Sequence, residues 1–401
     1  MDPIVTTRWV LLVGFFTLLV VELSLARRER QSDPQYAWKD SLESWCLLSL
    51  TGAISGVSKL FLFAVYGVVL ERFALREWGG TALEYALAFL AYDLVAYGFH
   101  RASHRVGFLW AIHAVHHQSE QFNLTVAMRT APLRNLFDWP TLLPLALLGV
   151  PAGWVGLLFL VHIAGQYWIH TTWIPNLGPV GWILNTPSHH RVHHGVQPRY
   201  RDANYGANLI VFDRLFGTFV PEGEPAEFGV TDPVGGWSPL RSTFRPFADL
   251  WERSRTWPLA DRLQVWIRPP GWAPPGIEPV QRPFVPKADF SLVSLPDAVI
   301  TTALVSLLLL CVPSAAGVPA VAVGLFGFGM VALARVGASL EGTAVRPVWD
   351  GLFAMGLGLA AAVAPSHGGV FAVAGAGLAI WAGARWVQAL SAGGLASRVG
   401  M

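Results

Sequence analysis

Three histidine clusters dominate this chain: His100-Arg-Ala-Ser-His104, His113-Ala-Val-His116-His117 and His189-His190-Arg-Val-His193-His194. Eleven of the twelve histidines lie between His100 and His194. Residues three or four apart on a helix share a face, roughly 5–6 Å apart at Cβ. A face so rich in imidazole nitrogen is costly to bury in an apolar chain unless something binds it. Neutral imidazole is the commonest metal ligand, so the clusters predict metal. His170, alone in Tyr167-Trp-Ile-His170-Thr, joins His100, His104, His113, His116, His117, His190, His193 and His194 in a set of nine. A structural zinc site closes with four ligands and a catalytic one uses three plus water, so nine nitrogens predict two ions. His189 falls outside the repeated H-x-x-H-H pattern and is ambiguous; His162 and His367 read as structural residues.

Hydrophobic residues make up 53% of the chain and charged residues only 13%, where a soluble domain carries roughly a quarter charged. Apolar stretches long enough for a bilayer, which needs about 20 residues, occupy 9–26, 45–70 and 82–99. The stretch 140–167 reads as one long helix or as a hairpin broken at Gly149-Val-Pro151. Four more stretches follow at 297–312, 318–334, 348–364 and 370–390, rich in the Gly and Ala that permit close helix contact in membranes. The first is a retained signal anchor, because Arg27-Arg28-Glu29-Arg30 follows the apolar run instead of preceding it. With that arginine group in the cytoplasm, the positive-inside rule places every histidine cluster on the cytoplasmic face, although Arg72 and Arg76 count against the scheme.

The fold expected is therefore all-α. It is a polytopic membrane helical bundle with a cytoplasmic histidine-rich di-metal cap and an added C-terminal four-helix membrane module. Its domains are N-terminal membrane helices at 1–81, a catalytic unit at 82–220, a Trp-, Pro- and Arg-rich cytoplasmic or interfacial segment at 221–295, and the C-terminal bundle at 296–401. Within the third, Leu240, Phe244, Phe247, Leu250 and Trp251 recur at helical spacing, which suits either a helix lying in the interfacial plane or one packed on a cytoplasmic cap. Cys46 and Cys311 lie far apart in apolar stretches, so neither a disulfide framework nor a thiolate site is indicated. The net charge of +2 gives no bias toward nucleic acid.

The motifs H-x-x-x-H, H-x-x-H-H and H-x-x-H-H, with a single histidine before the third, resemble the fatty acid hydroxylase and sterol desaturase superfamily. The resemblance runs from about Tyr92 to Phe219. It includes Asn185-Thr-Pro-Ser-His-His-Arg-Val-His-His194, Asp202-Ala-Asn-Tyr-Gly206 and Phe212-Asp-Arg-Leu-Phe-Gly-Thr-Phe219. His117-Gln-Ser-Glu-Gln-Phe-Asn123 and the stretch around Ile169-His-Thr and Asn176-Leu-Gly-Pro179 are similar to the alkylglycerol monooxygenase-like branch. The resemblance implies a di-iron centre that uses O2 to hydroxylate or desaturate a lipid, with the nine histidines as ligands. Glu120 matches an acidic position of that branch, where it would hold a ligand imidazole or contact a pterin; Asn204, Tyr205 and Asp213 match positions that would hydrogen-bond around the ligands. Thr172 departs from the pattern, standing where the mammalian enzyme has an acidic residue.

No Gly-x-Gly-x-x-Gly loop precedes a helix, so electrons would come from a reduced pterin or a separate electron-transfer protein. The leading expectation is a membrane di-iron lipid monooxygenase that acts at the carbon next to an ether oxygen. A hydroxylase or desaturase of acyl chains, aminolipids or sterols is the close alternative. A membrane metal transporter is the alternative of another class; it predicts ligands near mid-membrane, whereas these clusters sit at helix ends.

Overall fold

A computed structural model describes residues 3–28, 36–277, 329–334 and 336–338. Among them the regular elements are helices, with two isolated β-bridges and no strand. The C-terminal stretches expected to span, apart from fragments of one helix, lie outside the described residues. So does His367.

The helices α1 (Pro3–Arg28), α2 (Trp38–Phe73) and α3 (Ala82–Arg105) carry the first three apolar stretches. Alone among the described helices, α3 is long and apolar enough by length and composition to cross a membrane. Its 24 residues reach about 36 Å at about 1.5 Å each. On α3, Leu83, Leu87, Leu90 and Leu94 are all exposed, and their spacing puts them on one face. The opposite face buries Ala88, Tyr92 and Phe99. A stripe of leucines turned outward suits lipid and disfavours water. Thr81 and Glu84 close a capping box at the start of α3, and His100 and His104 stand in its last turns.

The stretch 140–167 is a helical hairpin: α5 (Leu143–Leu147) turns into α6 (Ala152–Trp168) through Gly149 and Pro151. Gly149 has φ 86°, and a Cβ there would lie 1.9 Å from the Arg76 carbonyl oxygen. The first arm is short. Between α4 and α5 the chain forms only short 3-10 turns, at Val126–Met128, Arg134–Leu136 and Trp139–Leu142, and Pro132 and Pro140 interrupt this stretch. Stacking of Tyr85 on Trp154 and contact of Tyr92 with His162 show α3 and α6 running side by side in the same direction. The hairpin thus returns His170 to the end of the molecule that holds His100.

Hydrogen bonds join the hairpin to α2 and to the loop that follows it. Here the Tyr66 hydroxyl donates to the Val150 carbonyl (2.7 Å), the Trp78 indole to Leu148 (2.7 Å) and the Leu75 amide to Leu147 (2.8 Å). These bonds tie the far end. At the histidine end, α4 (Gly107–His117) reverses after α3, and α7 (Pro187–His194) and α8 (Val211–Leu215) close over it. The helix expected around Leu240–Trp251 is α9 (Pro239–Ser254), followed by α10 (Leu259–Ile267). Leu250 and the half-buried Phe247 pack on α4 residues, while Phe244 and Trp251 stay exposed.

Candidate metal centre

The nine histidines of the motifs converge into two groups. His100, His104, His113, His117 and His193 form one, His116, His170, His190 and His194 the other, and in each the ligand atoms lie within 4.8 Å of one another. Helical geometry explains the division. At 100° per residue, His113 and His117 are 40° apart, whereas His116 points about 60° to the other side of His113. The same holds for His190, His194 and His193. Each H-x-x-H-H helix therefore gives its i, i+4 pair to one group and its middle histidine to the other. The assignment is crosswise, with α3 completing the first group and His170 the second.

The nitrogens are already spaced for an ion. Nε2–Nε2 separations are 3.1 Å for His100–His113 and His113–His117, 3.3 Å for His116–His170 and 2.9 Å for His170–His190. Two nitrogens each about 2.1 Å from a shared ion are about 3.0 Å apart at a right angle and about 3.4 Å at the tetrahedral angle. Protonation sharpens the point. The Nδ1–H of His116 donates to the Arg129 carbonyl (3.1 Å) and that of His170 to Gln166 (2.7 Å). A carbonyl only accepts, so in both neutral rings Nε2 carries the lone pair. Two bare lone pairs then face each other at 3.3 Å, an arrangement that a cation relieves. His100 and His193 are locked the same way, by the carbonyls of Tyr205 (2.9 Å) and Ala203 (3.0 Å). His104 Nε2 and His193 Nε2 are buried without a hydrogen-bond partner. The residues fit metal, and a purely nitrogen donor set suits iron, zinc, copper or nickel.

The loop that offers these carbonyls is pinned by acids. Asp213 accepts from the amides of Tyr205 (2.8 Å) and Gly206 (2.7 Å) and from the Thr218 hydroxyl (2.7 Å). Burial pushes its carboxyl up to about 6 against the pull of those bonds. Asp93, buried on α3, accepts from the amides of Asn208 (2.9 Å) and Leu209 (3.0 Å). Asn204, at φ 54°, brackets Val220 through both its amide atoms and donates to the His189 carbonyl. The Tyr205 ring packs 5.3 Å from His104 and 6.0 Å from His100 and His193. Glu120 is itself exposed, on the turn after α4 whose Gln118 and Ser119 are buried, beside Gly229. His189 is resolved as a cap: its Nδ1 accepts from the Thr186 amide at the start of α7.

A Cβ at Gly206 would lie 2.6 Å from the Leu209 carbonyl oxygen and 2.9 Å from Asp213 Oδ2. Gly206→Ala should therefore cost about 1–3 kcal/mol by overpacking and loosen the carbonyl that locks His100. Thermal unfolding and metal retention after dialysis would check both effects.

Several residues of the site carry no motif. Arg129 is buried with Asp40 and Glu43 of α2, at 3.3 and 3.0 Å, and its Nε donates to the Val115 carbonyl (2.9 Å). Glu22 of α1 accepts from the Leu124 amide (2.9 Å) and from the hydroxyl of Thr171, next to His170. Trp110 lies 5.0 Å from His104, and Phe122 stacks at 5.7 Å on His170. A lone acid inside an apolar run is costly there and marks a partner. That signal could have found Glu22 and Asp93.

Burial, reinforced by neighbouring rings, holds His113, His116, His117, His190 and His194 below their ordinary pKa; burial alone lowers His193, to about 4, and burial with the nearby His193 ring lowers His170 to about 3. Unfolded histidine titrates near 6.5, so on acidification the unfolded chain takes up protons first. Metal-free protein should accordingly lose stability as pH falls from about 6.5 toward 4. Thermal midpoints measured across that window should fall steeply, and a flat profile would mean that the rings are not buried and neutral.

The fatty acid hydroxylase family profile matches residues 85–218. The chain is 40% identical to the alkylglycerol monooxygenase of Xenopus tropicalis over 218 residues, covering 50% of this chain and 48% of that protein. It is 36% identical to the alkylglycerol monooxygenase of Homo sapiens over 230 residues, covering 56% and 51%. It is 30% identical to the ornithine lipid hydroxylase of Rhizobium tropici over 159 residues, covering 38% and 47%. The aligned part spans about half the length of these curated relatives. No solved structure matches the chain. With all nine histidines inside or beside α3, α4, α6 and α7, residues 85–218 carry a fatty acid hydroxylase family domain similar to that of the alkylglycerol monooxygenases.

Proposed function

We propose that this protein is an integral-membrane lipid monooxygenase whose two histidine groups hold two iron ions. The observation that carries the reading is the pair of convergent nitrogen groups with lone pairs facing inward. When bound, the ions would supply the dioxygen activation and one-electron chemistry that side chains lack. The chain's part is to hold and shield. The carbonyls of Arg129, Gln166, Ala203 and Tyr205 fix four rings in one tautomer. Trp110, Phe122 and the Tyr205 ring wall the rings from water. Asn204 and Asp213 hold the loop in place. Such outer partners are worth about 10–100-fold in metal affinity.

The substrate is an ether lipid in this reading, supported by the names of the relatives in Xenopus tropicalis and Homo sapiens. O2 with two electrons and two protons hydroxylates the carbon next to the ether oxygen and yields water. The hemiacetal formed then splits into an aldehyde and an alcohol. Electrons come from a reduced pterin, for which Glu120 on the turn after His117 is the candidate contact, or from an electron-transfer protein. The unit 82–220 carries the chemistry, the segments 1–81 and 296–401 anchor it as a multi-pass protein, 221–295 covers it, and the histidine end faces the cytoplasm.

A second reading, hydroxylation of an aminolipid, is favoured by the similarity to the ornithine lipid hydroxylase. Iron-loaded protein supplied with O2, a reduced pterin and an alkylglycerol should release a fatty aldehyde. Turnover of ornithine lipid without aldehyde would replace the first reading by the second.

A further inference from the structure

A recess of about 280 Å³ opens outside the histidine cage, beside the first turn of α7. Asn176, Trp182, Ser188, Arg214, Phe219 and Glu222 are among the residues that line it. Ser188 is 1% exposed, and its hydroxyl has no hydrogen-bond partner; the buried Arg214 Nε also lacks one. A guanidinium can only donate, so the occupant must offer an acceptor. Glu222 does not fill that role, because both of its oxygens are taken by Arg191 at 2.6 and 2.7 Å. Arg214 has no ion pair among the described residues. Its guanidinium carbon lies 3.8 Å from the Phe219 ring centre and 4.6 Å from that of Trp182, which holds the group in place. The start of α7 adds partial positive charge. The recess is therefore built for an anion.

Its rim is apolar. Trp182, Ile183, Leu215 and Phe216 are all exposed, and the Ile210 amide bonded to the Ile183 carbonyl (2.9 Å) holds the two segments side by side. Phe216 stacks at 5.5 Å on Tyr97 of α3, one helical turn before Arg101. That is where the apolar part of α3 gives way to charge. If α3 crosses the bilayer, the recess stands at the level of the lipid phosphates, where basic pockets beside membrane helices bind headgroups.

We propose that this recess binds the phosphate of an anionic lipid, with Arg214 and Ser188 as its donors and the Trp182–Phe216 rim against the lipid's glycerol and chains. The inference shares only the membrane placement of α3 with the function proposed above. Its test reads bound lipid, without turnover, so the two can fail separately.

The test is native mass spectrometry of the full-length protein in detergent, offered equal phosphatidylglycerol and phosphatidylcholine. The expected result is about 10-fold more phosphatidylglycerol retained. Arg214→Gln and Ser188→Ala should each abolish the preference, with the thermal midpoint of at least one of them unchanged as the sign of an intact fold. An absent preference, or one that survives both substitutions, would overturn the proposal. Competition by inorganic phosphate as strong as that by phosphatidylglycerol would also overturn it, since the site would then serve a soluble anion.

Discussion

His116→Ala is expected to leave about one metal ion per chain where the proposed function gives the unaltered protein two, and to lower lipid turnover by more than about 100-fold, beyond what loss of an outer partner does. The reason is the crosswise sharing of ligands between α4 and α7. Removing His116 reduces the group of four to His170, His190 and His194 and leaves the group of five complete. His113→Ala, one helical turn earlier, leaves four nitrogens in the larger group. It should retain more metal than His116→Ala, although the two histidines sit in the same motif. Counting iron in the two variants by elemental analysis, together with turnover, makes the comparison. Equal loss from both would count against the division into five and four.

Arg129→Met is expected to lower stability by about 3–5 kcal/mol, because it leaves the buried Asp40 and Glu43 carboxylates without their cation. For a body of this size that corresponds to a fall of roughly 10 °C in the thermal midpoint. Both carboxylates belong to α2, and Arg129 also grips the end of α4 through the Val115 carbonyl. The damage therefore reaches His116, whose ring is locked by the Arg129 carbonyl itself. Adding Asp40→Asn and Glu43→Gln should recover much of the loss, since the cost is that of uncompensated charge. Thermal unfolding of the single and triple variants would show it. A single variant as stable as the starting protein would mean that the carboxylates are protonated or reached by water.

The convergence of the nine histidines was legible because they obey a local rule. Three- and four-residue spacing on a helix fixes which side a ring faces, and His113, His116 and His117 needed nothing more. The hairpin was legible too, since Gly149 and Pro151 interrupt an apolar run at a point where a helix cannot continue. The partners of the rings were not legible. Arg129, Asp40 and Glu43 are distant in sequence and meet only after α2 and α4 pack, and no spacing rule connects them. Four of the locks are main-chain carbonyls, which every residue possesses and which leave no trace in side-chain identity. His189 looked like a possible ligand by spacing, yet its place at the third position of α7 makes it a cap. Glu120, read from resemblance, is exposed three residues beyond His117, and its contact with a pterin is part of the proposed function.

The main-chain locks have a consequence for how such a protein can change over generations. The side chains at 129, 166, 203 and 205 have other contacts, but the oxygen that steadies each imidazole belongs to the peptide unit and survives replacement of the side chain. Drift at 166 and 203 is therefore compatible with an unaltered cage, provided the chain keeps its path, whereas at 129 and 205 the side chain also acts, by its ion pairs with Asp40 and Glu43 and by packing on His104. Insertions, deletions and prolines are the events that redirect a carbonyl, and the segment from Asp202 to Gly206 is the most vulnerable to them. Losing a single residue there should do more harm to ion retention than any one substitution within it.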